Sequence, residues 1–139
     1  MSNKTVDWMI HYVSNKYCDC CGELEESPIS FPLFANIHTH GLDKYNHKEL
    51  CIPLELDFNI ACQILNQCGL RIKYDNVKYV PGRDDTVIQN FPVLFYEFPN
   101  SNTLYMIMPD TNGKFPDEEG CEFPYNRQLL YAQIIEEDK

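Results

Sequence analysis

Residues 34–69, FANIHTHGLDKYNHKELCIPLELDFNIACQILNQCG, decide the fold. The first seven of these residues favour an extended strand, in which alternate side chains point to the same side. His38 and His40 are therefore expected to share one face. Gly41 ends the run and allows a turn that a residue with a Cβ would resist. The mostly apolar run over 49–56 predicts a second strand with at least one buried face.

The segment after the second strand carries the signals of a helix over 57–68. Asp57 is placed to accept hydrogen bonds from the first backbone amides as an N-cap, and Gly69 is placed for a left-handed C-cap. Apolar residues recur at helical spacing between these two ends. They are Ile60, Ala61, Ile64, Leu65 and Cys68.

The remaining elements follow from hydrophobic periodicity. Spacings of three and four residues predict an amphipathic helix over 4–16, and alternation predicts a half-buried strand over 70–74. The β-prone runs over 87–98 and 103–108 are separated by turn formers and predict an antiparallel hairpin. Leucines and isoleucines near the end predict a closing helix over 124–135.

These elements predict a single α+β domain over residues 1–139. A chain of this length usually forms one domain. We expect a mostly antiparallel sheet of about five strands with helices packed on it.

A cluster of polar residues forms the candidate site, because three of the four histidines lie within ten residues. Imidazole titrates near neutral pH and is a common metal ligand. Two imidazoles at alternate positions of a strand can share a metal, and a nearby carboxylate can act as a base toward bound water. The competing interpretation is that these histidines only bind backbone or water at a strand end. The candidate residues are His38, His40, Asp43, Tyr45, His47 and Glu49.

A second possible metal site involves Cys18, Cys20 and Cys21, because thiolates are preferred zinc ligands. The C-x-C-C spacing differs from the usual pair of C-x₂-C motifs, and the sequence contains no second close pair. His38 or His40 could complete the ligands of a zinc ion bound here. The alternatives are a loop with exposed thiols and a redox role.

Composition limits the cellular partners. The net charge of −10 argues against binding to nucleic acid or to anionic membranes, and it favours a basic protein partner. No apolar run approaches the ~20 residues that span a bilayer. The seven cysteines are an odd number for a disulfide framework, and no apolar leader segment begins the chain. We therefore expect a cytoplasmic protein with reduced thiols.

Two groups of motifs resemble the domain-of-unknown-function family 4262, a bacterial family with the patterns T-I-G-L, G-H-P-E-L and W-P-D followed by G-x-F-P. The matching residues are Gly41-Leu42, His47-Lys48-Glu49-Leu50, Ile64-Leu65-Asn66, Met108-Pro109-Asp110, Gly113, Phe115-Pro116, Gly120 and Gln128. The resemblance covers about 34–130. It supports the fold, but the family has no established activity, and Lys48 stands where the family has proline. His38 and His40 are not part of the family pattern.

Three functions remain open from the sequence. The first is a non-enzymatic binding or interaction module, which the acidic charge and the absence of a complete catalytic motif favour. The second is a metal-dependent hydrolase that uses the histidine cluster. The third is thiol chemistry, in which a cysteine nucleophile is paired with a histidine base.

Overall fold

The computed structural model describes residues 4–14, 17–18, 22–23 and 34–137. In this part of the chain, eight strands form one sheet and two α-helices pack on it. Two 3₁₀-helices cover Leu42–Tyr45 and Tyr125–Arg127. The strands and helices are β1 Met9–Ser14, β2 Tyr17–Cys18, β3 Gly22–Glu23, β4 Phe34–His40, β5 Glu49–Leu54, α1 Phe58–Asp75, β6 Gly82–Ile88, β7 Phe91–Tyr96, β8 Thr103–Ile107 and α2 Gln128–Glu137.

The sheet has the strand order β3-β2-β1-β4-β5-β8-β7-β6. Neighbouring strands run antiparallel except β5 and β8, which are parallel. The α+β class is therefore confirmed, while the expectation of about five mostly antiparallel strands is only partly right. Two of the additional strands are two residues long. The parallel pair was not predicted because α1, β6 and β7 separate its strands along the chain.

The core has two parts, one on each face of the sheet. Neighbouring residues of a strand point to opposite faces, so Leu50 and Ile52 of β5 enter one cluster and Cys51 enters the other. The first cluster contains the buried side of α1, and the second contains Ala132 and Ile135 of α2. The two α-helices therefore pack on opposite faces. Neither of these described helices is long and apolar enough to cross a membrane.

The start of α1 is as predicted, but its end is not. The Asp57 carboxylate accepts from the backbone amides of Asn59 and Ile60, at 3.0 and 3.2 Å. The helix then continues to Asp75, and Asn76 is the left-handed C-cap. The predictions of a strand over 70–74 and of a C-cap at Gly69 are therefore wrong.

The apolar stripe of α1 explains the longer helix. Ala61, Leu65, Cys68 and Ile72 are buried and follow helical spacing across the predicted boundary. Gly69 lies inside the helix because Trp8 packs directly on it. A Cβ at this position would lie 2.3 Å from Cζ2 of Trp8. Glycine is needed at position 69 because the Trp8 ring lies where a Cβ would be. It does not end the helix.

The predicted helix over 4–16 is wrong, because this segment contains β1. Ile10 and Tyr12 pack against the core, while Met9, His11 and Val13 are exposed. This alternation has the period of a strand. The apparent helical stripe included residues that the fold leaves in solvent.

The hairpin and the closing helix agree with their sequence patterns. Strands β7 and β8 form the predicted antiparallel hairpin. The run over 87–98 is divided by a turn at Asn90, whose φ is 61°, so its first residues belong to β6. The closing helix is present as a 3₁₀ turn followed by α2.

Candidate functional site

Three histidines meet on the sheet face opposite α1. His11 of β1 pairs directly with His38 of β4, and Met9 pairs with His40. Residues that are directly opposite in an antiparallel pair project from the same face, and His40 follows His38 by two positions. The pairing of β1 with β4 therefore brings His11, His38 and His40 together. We call these residues the histidine triad.

The geometry of the histidine triad is close to that of a metal site. One ring nitrogen from each residue lies within 4.8 Å of the others. The ring centroids are 5.2 Å apart for His11 and His38, 4.8 Å for His11 and His40, and 5.0 Å for His38 and His40. Tetrahedral zinc with Zn–N bonds of ~2.0–2.1 Å needs nitrogens about 3.4 Å apart. His11 and His40 are exposed, and a metal ion would require their rings to turn toward it.

Asn36 orients one member of the triad from the same strand. Its Oδ1 lies 2.9 Å from Nδ1 of His38. An amide oxygen only accepts hydrogen bonds, so this contact requires a hydrogen on Nδ1 and leaves the lone pair of the neutral ring on Nε2. The thiol of Cys51 donates to the same oxygen at 3.4 Å. The triad is thus connected to the core beneath α2.

His11 is not among the site residues that the sequence predicts. The predicted helix over 4–16 includes it, whereas the structure places it on β1. The alternation of Ile10 and Tyr12 with His11 and Val13 was the available signal. The partnership with His38 still depends on a strand pairing between distant parts of the chain.

His47 does not join the triad. It is buried; its Nδ1 donates to the carbonyl of Lys48 at 2.7 Å, and its Nε2 accepts from the amide of Tyr79 at 3.0 Å. Both ring nitrogens are therefore engaged by the backbone, and the bond to Tyr79 links two distant parts of the chain. Burial lowers the pKa of His47, which favours the neutral ring that this arrangement needs.

Glu49 holds the turn that follows β4. Its carboxylate accepts from the hydroxyl of Thr39 at 2.8 Å and from the amides of Gly41, Leu42 and Asp43 at 3.1 to 3.2 Å. Gly41 has a φ of 121°, a conformation that favours glycine. Glu49 therefore stabilises the loop that the sequence predicts to be part of the site.

The last two residues of the predicted site lie in different surroundings. Asp43 is exposed and lines a groove that also includes His38, His40, His47 and Glu49. Tyr45, by contrast, donates its hydroxyl to the carboxylate of Asp7, close to Lys73 of α1. The groove thus gathers five of the six predicted residues. Tyr45 stabilises the contact between the loop and α1.

The cysteines provide little support for nucleophilic chemistry where their side chains are described. Cys51 is 0% exposed, and burial raises the pKa of Cys68 to about 11. Burial also raises the pKa values of Cys62 and Cys121, and a thiol must ionise to act as a nucleophile. No disulfide joins these four described residues.

The predicted metal ligands Cys18, Cys20 and Cys21 lie outside the described part of the chain, except for the backbone of Cys18 in β2. A zinc site that uses them stays a prediction.

The hydrogen bonds of His47 predict a pH-dependent stability. The imidazole of the unfolded chain has an ordinary pKa of about 6.5, and burial in the folded protein lowers the pKa of His47. The unfolded state therefore binds more protons, so the free energy of unfolding falls as the pH drops below 6.5. This loss levels off below the folded pKa.

The measurement compares urea unfolding of the wild type and His47→Gln between about pH 7.5 and 5.5, around the range where imidazole titrates. The glutamine amide oxygen can accept from Tyr79 but does not titrate. The wild type should lose more stability than the variant over this range. Parallel stability curves would show that His47 is not held neutral by the fold.

Comparisons with known proteins gave no relative. No protein-family model matches the chain, and no curated protein or solved structure matches it. The resemblance to family 4262 therefore stays a prediction.

Proposed function

We propose that this protein binds one divalent transition-metal ion, zinc being the best candidate, through His11, His38 and His40. The observation that carries the proposal is the convergence of three imidazole nitrogens within 4.8 Å on one sheet face. Imidazole suits zinc, copper, iron and nickel, whereas magnesium and calcium prefer oxygen ligands. The net charge of −10 also attracts cations to the protein.

The number of histidines indicates what such a metal would do. Structural zinc is usually enclosed by four protein ligands, whereas catalytic zinc keeps three and holds water or substrate in the fourth position. The triad supplies three ligands, and two of them are exposed. The fourth position would face solvent. This open position favours a metal-dependent hydrolase as the second proposed function, because a metal lowers the pKa of bound water.

We propose that the protein works in the cytoplasm with reduced thiols and that its acidic surface meets a basic protein partner. The support is the charge and the absence of disulfides among the four cysteines whose side chains are described. A metal bound by the triad is compatible with both proposed roles, a module that binds a protein partner and a hydrolase.

Metal titration of protein without a histidine tag tests the proposal. Competition against a chromophoric chelator is expected to show one zinc ion per chain. His11→Ala, His38→Ala and His40→Ala should each weaken zinc binding by more than the ~10–100-fold typical of outer-shell changes, because each removes a ligand.

His47→Gln is the matched control, since it removes a histidine that lies outside the triad. It should bind zinc like the wild type. Unchanged affinity in all three triad variants, or no binding by the wild type, would contradict the proposal. Urea unfolding with a chelator present should confirm that each variant is folded.

A further inference from the structure

We propose that Asn36 is a positioning residue of the metal site, which selects the His38 tautomer whose Nε2 can bind the metal. An effect of Asn36 on metal affinity presupposes the proposed metal site. The tautomer of His38, by contrast, is a property of the metal-free protein and can be tested separately.

The hydrogen bond between Asn36 and His38 fixes the direction of donation. The two residues lie on the same face of β4 at alternate positions, and their polar atoms are 2.9 Å apart. Because the amide oxygen is an acceptor only, the ring must present N–H through Nδ1. In a neutral imidazole, the hydrogen bond that one ring nitrogen donates sets which nitrogen carries the lone pair that a metal needs.

Cys51 keeps the amide of Asn36 in this orientation. Its thiol donates to Oδ1 of Asn36 at 3.4 Å. Two donors therefore converge on one oxygen, and a reversed amide would turn its NH₂ group toward both of them. Cys51 is fully buried and packs in the core cluster with Tyr105 and Ile135. The buried core beneath α2 is thus linked through Asn36 to His38.

This arrangement has the form of an outer-shell contact in metalloproteins. Ligating histidines usually donate their second N–H to a carboxylate, a carbonyl or water, which fixes the ring and raises its basicity. Loss of such a partner typically lowers metal affinity by ~10–100-fold. The amide of Asn36 is a weaker acceptor than a carboxylate, since charged acceptors form stronger hydrogen bonds. Asn36→Asp should therefore keep the hydrogen on Nδ1 of His38 and preserve or raise the zinc affinity.

The first experiment is nitrogen NMR of the imidazoles in metal-free wild type, Asn36→Ala and Asn36→Asp at alkaline pH, because a neutral imidazole carries one ring hydrogen. We expect His38 to carry its hydrogen on Nδ1 in the wild type and in Asn36→Asp. Asn36→Ala should shift the population toward hydrogen on Nε2. A purely structural role for Asn36 would not change the tautomer.

The second experiment measures zinc affinity of the same proteins and of Cys51→Ala. Asn36→Ala should weaken binding by ~10–100-fold, and Asn36→Asp should bind at least as tightly as the wild type. Cys51→Ala keeps the amide oxygen of Asn36, so it should lower the zinc affinity less than Asn36→Ala does.

The outcomes separate this inference from the proposed function. An unchanged His38 tautomer in Asn36→Ala, or equal zinc affinity in Asn36→Ala and the wild type, overturns the role of Asn36 while leaving the metal site intact. Failure of the wild type to bind zinc overturns the proposed function, whereas the NMR experiment still decides whether Asn36 selects the tautomer. Asn36→Asp tests the contact even if Asn36→Ala does not fold.

Discussion

Replacing Trp8 with alanine is expected to lower the free energy of unfolding by about 3–5 kcal/mol, the usual cost of removing a buried aromatic side chain. Trp8 is only 6% exposed. It packs on Gly69 of α1, and its indole N–H donates to Oδ1 of Asn66 at 2.9 Å. Urea unfolding with a chelator present would measure the loss. A loss within the ±0.5 kcal/mol typical of surface substitutions would contradict this packing.

Gly69→Ala provides the complementary test. Alanine normally stabilises a helix interior by about 1 kcal/mol relative to glycine. Here its Cβ would lie 2.3 Å from the indole, so we expect a destabilisation of ~1–3 kcal/mol from overpacking. In a Trp8→Ala background the clash disappears, and the same substitution should become neutral or stabilising. Additive effects of the two substitutions would show that Trp8 does not lie on Gly69.

Leu65→Ala is expected to cost about 2–5 kcal/mol, because Leu65 is fully buried between α1 and the sheet. Ile60→Ala is the matched control on the same helix. Ile60 was predicted in the apolar stripe, yet it is 52% exposed, and its loss should stay within about 0.5 kcal/mol. Equal losses for the two variants would show that the helix presents a different side to the core.

Local chemistry predicted much of the fold. The Asp57 side chain caps the first backbone amides of α1, and this interaction does not depend on where the helix packs. The turn formers after β7 likewise indicate a hairpin from the local sequence alone. The predictions were wrong where tertiary contacts determine the local structure. The sequence around Gly69 is typical of a C-cap, but Trp8 packs on this glycine inside the helix. The segment of β1 has helical spacing of apolar residues, but it forms a strand that pairs with β4.

The candidate site shows the same division. Alternation along β4 correctly places His38 and His40 on one face, which needs only strand geometry. His11 comes from a strand that is distant in sequence, so the number of ligands could not be predicted. His47 and Glu49 are close in sequence to the triad, but their polar atoms bind backbone groups and the hydroxyl of Thr39.

X-ray absorption at the zinc edge of tag-free, zinc-loaded protein is the most direct test of the histidine triad. We expect three imidazole nitrogens and one further light atom around zinc, with Zn–N distances of ~2.0–2.1 Å. His38→Ala should lower the imidazole count. Sulfur neighbours at about 2.3 Å would place the metal on cysteines, and an unchanged spectrum in the variant would also contradict a site formed by His11, His38 and His40.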